Sequence, residues 1–372
     1  VTTATHHGSH RELIDRVRST ALVPSQKVDA IIVPSARYEV SIGHAAGLAE
    51  ALDCQLVVLS SKHSQAPKVV KYIIDREVDV DVTAIDFPAN PVPGLPVLET
   101  STVLAGTRLQ RKADTSAKRN LGLVLSRLAG WQSVLFLDDD IAVPDPADIG
   151  RAAALLTDHY GVGLHVGGYP DNSVVCHAHR ETGGWQETFI GGGALVVPPQ
   201  EITSFFPEIY NEDWFFLLGD AGLRPVAQEG QAVQRPYDPF ANPERARQEE
   251  FGDDLAEGIF ALLDDGKQLG DATPRYWRQF LAHRLDLIND IIDRTRKADL
   301  TDPRRDQIIV ALKAARGRLH FIEPAQCTGY LAAWQADGDK WRAYLDGLSA
   351  TGLAAGLRAL GLKSFRPLLV GA

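Results

Sequence analysis

The chain has 372 residues, enough for about two domains or one large domain with an extension. Its 45% hydrophobic and 23% charged content is that of an ordinary globular protein, and its formal net charge of -10 excludes nucleic-acid binding through a generally basic surface. No apolar run reaches the about 20 residues that a membrane-crossing helix needs, and residues 1–18 lack the apolar core of a signal peptide.

Cys54, Cys176 and Cys327 are far apart, show no metal-type spacing and are odd in number, which argues against a disulfide framework and for a reducing, cytoplasmic setting. Residues 1–27 read as a lead-in with one short helix near Arg11 to Ser19. From Val28 the pattern alternates. Apolar strands are expected at Val28 to Pro34, Gln55 to Ser60 and Asp81 to Asp86, and helices at Ile42 to Leu52 and Pro67 to Asp75. Four prolines within 88–98 mark an extended loop, and a long helix follows over Thr115 to Ala129. The strand Ser133 to Leu137 runs directly into Asp138-Asp139-Asp140. Further strands are expected at Gly161 to Gly168 and Ala194 to Val197. Strands alternating with helices argue for an α/β domain with a mainly parallel sheet over residues 28–240. Residues 241–372 read as helical, with helices at Pro243 to Asp264, Pro274 to Lys297, Asp302 to His320 and Pro324 to Leu348. Proline stands at or near each start, where its missing N–H costs nothing.

The Asp triplet carries the strongest chemical signal. Three adjacent carboxylates repel one another unless they share a cation. In an open α/β sheet the C-terminal strand ends are where ligands bind, and hard oxygen ligands there suit Mg²⁺ or Mn²⁺ bridging substrate phosphates. Pro34-Ser35-Ala36-Arg37 ends the first strand with a hydroxyl, loop amides and a guanidinium that can hold a base, ribose or phosphate. Asp86 ends the third strand and is placed to accept from a nucleobase N–H. Lys118, Arg119 and Asn120 lie in the first turns of a helix, where a diphosphate would be favoured. Gly191, Gly192 and Gly193 precede a strand and allow a close backbone approach. Glu212-Asp213 lies between aromatics at a helix start, where partial burial would turn a carboxylate into a general base. His177, His179 and His320 are further candidate ligands. Phosphate loops of the Gly-x-x-x-x-Gly-Lys type, dinucleotide fingerprints, serine elbows and His-Glu-x-x-His are all absent.

In this order the blocks resemble a GT-A fold, nucleotide-sugar-dependent glycosyltransferase of the family 2 type, over about residues 28 to 235. The resemblance implies a Rossmann-like mixed sheet between helices, with a helical C-terminal extension outside the common core. It implies Asp140 as metal ligand, Asp138 on the ribose or sugar and beside the metal, and Asp139 as auxiliary. Asp213 becomes the general base, with Glu212 competing for that role. Pro34, Ser35, Arg37 and Asp86 hold the nucleotide, and Lys118 approaches the diphosphate. A Mn²⁺ or Mg²⁺ ion, a nucleotide-diphosphate sugar donor and a hydroxyl acceptor follow from the same likeness. The chain lacks the Gln-x-x-Arg-Trp motif of processive synthases. The C-terminal helices are left to shape an acceptor pocket or a homodimer contact. Three alternatives stay open: a retaining transferase of the glucosyl-3-phosphoglycerate synthase type, a sugar nucleotidyltransferase, and a non-catalytic protein on the same fold.

Overall fold

A computed structural model describes residues 15–16, 25–88, 92–167, 173–185, 190–220 and 222–365. The N-terminal half alternates strands and helices: β1 (Asp15–Arg16), β2 (Ala30–Ser35), α1 (Gly43–Ala51), β3 (Gln55–Ser60), α2 (Ala66–Asp75), β4 (Val82–Asp86), α3 (Thr115–Ala129) and β5 (Val134–Leu137). There follow β6 (Ile141–Ala142), α4 (Ala147–Ala154), β7 (Gly161–Gly167), α5 (Val174–Glu181), β8 (Ala194–Val197), α6 (Glu212–Leu217) and β9 (Val226–Gln234). The remainder is α7 (Pro243–Asp264), α8 (Pro274–Lys297), α9 (Asp302–Leu319), α10 (Pro324–Asp346), α11 (Leu353–Ala359) and β10 (Ser364–Phe365).

The strands form one mixed sheet in the order β1-β9-β7-β8-β5-β2-β3-β4-β10, with β6 paired to β9. β4, β3, β2 and β5 are mutually parallel, while β8 runs antiparallel to both β5 and β7. The chain builds outward from β2 to β3 and β4, then returns to place β5 on the other side of β2. That reversal opens a crevice at the carboxyl ends of β2 and β5. Ile31, Ile32 and Val33 on β2 and Leu135, Phe136 and Leu137 on β5 are fully buried. Each such side chain contributes roughly 1.5–3 kcal/mol, so the strand ends that carry Ser35 and Asp138 have a rigid foundation.

The two faces of the sheet are covered differently. One packs on α1, α2 and α4 through Ala46, Val69, Ile73 and Ile149. The other packs on α3 and continues without a break into the C-terminal helices, through Phe206, Phe216, Phe260, Trp277, Tyr330 and Trp341. Phe215 meets Trp334 at 5.6 Å and Phe205 meets Trp341 at 6.2 Å, both ring to ring. The C-terminal helices therefore form a wall behind the crevice.

Most expected elements lie within a residue or two of their observed bounds. One differs at the N-terminus. A helix is expected near Arg11 to Ser19, yet Asp15–Arg16 extend the sheet beside Ala227 and Gln228 of β9; the rest of that expected helix lies outside the described residues. β9 itself escapes the sequence reading. Its VAQEGQAVQ segment is too polar for an apolar strand pattern, and only the neighbouring β7, β6 and β1 make it a strand. Helices α4 and α5 were likewise not anticipated. No helix among the described residues is long and apolar enough to cross a membrane.

Candidate active site

The crevice gathers side chains from four places in the sequence. Ser35, at the end of β2, donates from Oγ to Asp139 Oδ2 at 2.7 Å, and the Ala36 and Arg37 amides point at the same oxygen from 3.4 Å. Arg37 pairs with Asp139 through Nη1 and with Asp140 Oδ2 through Nη2 at 2.6 Å. Asp139 is thus buried and fully engaged in tying the β2 turn to the β5 turn. Asp138 and Asp140 stay partly exposed on either side of it. Asp139 thereby orients the loop that presents its two neighbours.

Arg119 is the buried pivot of the site. It donates from Nη2 to both Asp138 oxygens at 2.9 and 3.0 Å, and from Nη1 to Glu212 Oε1 at 2.8 Å. Burial opposes its charge, but Asp138 and Glu212 more than offset that and hold the guanidinium above its usual range. Arg111 adds a second cation to Glu212, at 3.4 Å, while also donating to the Ile209 carbonyl at 3.0 Å. Glu212 is therefore a neutralised anchor between two arginines.

Asp213 has different surroundings. It accepts from the Gly192 amide at 2.6 Å and from the Trp214 amide at 3.0 Å. Loss of water around its carboxylate, followed by the nearby Glu212 charge, pushes its pKa up to about 6, with Arg119 opposing. A carboxylate poised near neutrality is suited to taking a proton. The turn that presents it is strained. Asn211, the residue before α6, sits at φ 60°, ψ 37°, the left-handed region that only a few non-glycine residues adopt. No sequence signal marks that strain.

Gly192 and Gly193 act through space rather than flexibility. A Cβ on Gly192 would lie 2.6 Å from Arg119 Nη1, and one on Gly193 would lie 2.5 Å from Ile141 Cδ1 and 3.1 Å from Asp138 Oδ2. They make room for the protein's own Arg119 and Asp138, and the Gly193 carbonyl accepts from the Asp138 amide at 2.9 Å. Gly191 is partly exposed at the entrance to this turn.

Lys118 is buried, with Nζ on the Ser35 carbonyl at 2.7 Å and Ser61 Oγ at 2.6 Å, and Asp114 at 3.3 Å. Burial lowers its pKa and Asp114 opposes the shift. It braces the ends of β2 and β3 under the crevice. Two other expected residues, Asn120 and Asp86, have their polar atoms engaged elsewhere. Asn120 brackets Phe206, donating to its carbonyl and accepting from its amide, both at 2.8 Å. Asp86 accepts from the Ala66 amide at 2.7 Å and so serves the first turn of α2. His320 is exposed just after α9. Pro34 lies within β2, which pairs with β3 there. Of the other histidines, His177 bonds Tyr237 at 2.8 Å and His179 bonds Arg294 at 2.9 Å.

The crevice opens on a cleft of about 430 Å³ lined by Arg37, Arg111, Asp140, Tyr210, Tyr237 and Arg245, among others. Tyr237 and Arg245 were not singled out from the sequence, because they belong to the turn after β9 and to α7, well beyond the motifs. Asp138, Asp140 and His320 do not form a three-ligand cluster. Among the described residues, only Cys176, Asp253 and Glu257 bring three such atoms together. The carboxylates at the β5 end instead fit the way Mg²⁺-like ions are usually held, by one or two carboxylates with water and substrate phosphates completing the shell.

No protein-family model matches this chain, and no curated protein sequence matches it. Among solved structures, it is similar to the mannosyltransferase PcManGT from Pyrobaculum calidifontis in complex with GDP-Man and Mn²⁺. That similarity covers 92% of this chain and 89% of that one, with 15% sequence identity and a TM-score of 0.43.

Proposed function

We propose that this chain is a metal-dependent glycosyltransferase of the GT-A type, moving a sugar from a nucleoside-diphosphate sugar to an acceptor hydroxyl with inversion. One observation carries the reading. A metal-suited acidic strand end (Asp138 and Asp140) and a separate near-neutral carboxylate (Asp213) share one crevice, held apart by the buried Arg119. In this reading the triplet and the base are necessarily different groups.

A Mn²⁺ or Mg²⁺ ion at Asp140 and Asp138 would neutralise charge on the leaving diphosphate. Arg37, half exposed, is free to turn from Asp140 toward an incoming phosphate oxygen. Ser35 and the Ala36 and Arg37 amides position the nucleotide end of the donor through the β2 turn. Asp213 takes the proton from the acceptor hydroxyl as that oxygen attacks the anomeric carbon. Glu212, tied to two arginines, lies beside Asp213 and adds to the rise of the Asp213 pKa to about 6. Lys118 and Asn120 act by bracing the crevice. Attack from the Asp213 side opposite the diphosphate inverts the anomeric centre.

The test is a thermal-shift and calorimetric screen of UDP, GDP, ADP and CDP, and of their sugar conjugates, with and without Mn²⁺. A metal-dependent shift with one nucleotide, lost in Asp140→Ala, is the expected outcome. No metal-dependent shift with any of them overturns the reading. NMR of the product then decides the stereochemistry, and a retained configuration removes Asp213 from its assigned role.

A further inference from the structure

The cleft beside the crevice has a lining of a single character. Among the described residues it is walled by three guanidiniums, two carboxylates, two phenol rings and three side-chain amides, with no aliphatic side chain. Two of the guanidiniums lie over the two rings. Arg111 is 5.3 Å from the centre of Tyr210, and Arg245 is 4.5 Å from that of Tyr237. A guanidinium held by a ring face is pre-oriented and still presents its N–H fork to an anion. Arg111 is only partly engaged. Its Nη1 meets the Ile209 carbonyl at 3.0 Å and, at 3.4 Å, a Glu212 that Arg119 already holds at 2.8 Å. Its Nη2 and Nε make no hydrogen bond among the described residues, and the side chain is 23% exposed. Both carboxylates of the lining already have a cation. Glu249 pairs with Arg245 and accepts from the Val174 amide at 2.9 Å, and Asp140 pairs with Arg37.

Resting on the reading of the crevice as a sugar-transfer site, we propose that Arg111, with Arg245 beside it in the cleft, binds a carboxylate or phosphate carried by the acceptor. The acceptor is then an anionic hydroxyl compound, such as a hydroxy acid or a sugar phosphate, and not a neutral sugar. The two sides of the cleft divide the work. Arg37 and Asp140 stand together on the metal side, where the donor diphosphate would bind. Arg111 and Tyr210 adjoin the turn that presents Asp213, because Arg111 reaches the neighbouring Glu212. An anion on Arg111 would therefore bring its own hydroxyl toward the base. The unused Nη2 and Nε edge of Arg111 matches the two oxygens of a carboxylate or phosphate. The volume of about 430 Å³ lies within the range of small-molecule sites. The polar lining offers nothing to an alkyl chain, which argues against a lipid tail in this cleft.

The test is calorimetry of inorganic phosphate and of malonate on the full chain, with and without Mn²⁺ and the nucleotide that it binds. At least one anion should bind while the nucleotide is in place, and the preferred one tells a phosphorylated acceptor from a carboxylated one. Binding should weaken by about tenfold or more in Arg111→Met, as expected for loss of a charge-assisted hydrogen bond. Gln248→Glu should weaken it too. That residue is an exposed part of the lining, so the added charge repels an anion without removing a buried partner, and it decides the case if Arg111→Met does not fold. Arg342→Met, on α10, should change nothing. In transfer assays over hydroxy acids, sugar phosphates and neutral sugars, anionic acceptors should lead in kcat/KM, and their lead should shrink in Arg111→Met with the donor KM unchanged. A chain that binds nucleotide and Mn²⁺ but neither anion overturns the proposal and spares the transfer reading. Anion binding through Arg111 with no nucleotide binding overturns the transfer reading and the acceptor assignment with it. Anion affinity unchanged in both variants, or a neutral sugar as the best acceptor, also overturns the proposal.

Discussion

Two acidic runs in this chain look alike in sequence and behave differently in the fold. Asp138-Asp139-Asp140 follows an apolar strand, and Glu249-Glu250 with Asp253-Asp254 lies within the long helix α7. At the strand end the carboxylates fan out at the lip of a crevice, and two arginines from different elements, Arg37 and Arg119, meet them. On α7 the helical period stacks the acidic groups on one buried face, where Arg284 meets three of them. Water reaches Asp138 and Asp140 of the first run, so under the proposed function they can exchange an arginine for an incoming cation. The second is fixed in place, so its charge balance is a matter of stability. Placement relative to solvent, more than the number of carboxylates, separates a site that turns over ligands from one that holds a structure together.

The sharpest way to break this comparison is to remove the cation of the buried run. Arg284→Met should cost about 3–5 kcal/mol in denaturant unfolding, the loss seen when one partner of a buried ion pair is deleted. A loss below about 1 kcal/mol would mean that protons or an ion already neutralise the α7 face. At the crevice the effects should fall on function instead. Asp213→Asn is expected to lower kcat by about 10²–10⁴-fold while sparing nucleotide binding in calorimetry. In the wild type, the rate should fall as pH drops through about 6, because the raised Asp213 carboxyl then takes up its proton and can no longer accept one. That limb should vanish from the residual activity of Asp213→Asn.

Arg119→Lys probes the pivot between the two carboxylates it joins. A lysine offers a point charge in place of the fork that reaches Asp138 and Glu212 together. Donor binding and turnover should both fall about tenfold or more, since a small displacement of a positioned group is costly. Equal kinetics in Arg119→Lys would reduce the pivot to a generic counter-charge. The smallest effect concerns Asp86. If it only serves the first turn of α2, Asp86→Ala should cost about 1 kcal/mol of stability and leave nucleotide binding unchanged. A drop in nucleotide affinity with unchanged stability would return Asp86 to the nucleobase role that its strand-end position suggests.

Particular residues show how far the sequence could be read. Thr115–Ala129 as a helix and Gln55–Ser60 as a strand needed only periodicity and local caps. The same holds for α7, which begins at a proline behind the capping Asn242. The crevice was legible where motif residues sit at strand ends, as with Ser35 and Asp138. It was not legible where a residue's partner decides its role. Asn120 lies in the right helix turn, yet its amide meets Phe206, 86 residues away in sequence. Cys176 showed no spacing that would place it near Asp253 and Glu257, because those residues lie on α7.

Sequence alone determined that an apolar strand must end in three carboxylates, and that a Glu-Asp pair opens a helix among aromatics. Both follow from local pattern and charge. Only the tertiary structure set the two carboxylates of that pair apart. Burial, neighbouring cations and backbone amides set a pKa, and those come from residues distant in the chain. Glu212 is clamped by Arg111 and Arg119, while its neighbour Asp213 is pushed up to about 6 by burial and the Glu212 charge, against the pull of Arg119 and of the Gly192 and Trp214 amides. Their chemistry diverges because α3 and the glycine turn reach them from opposite sides.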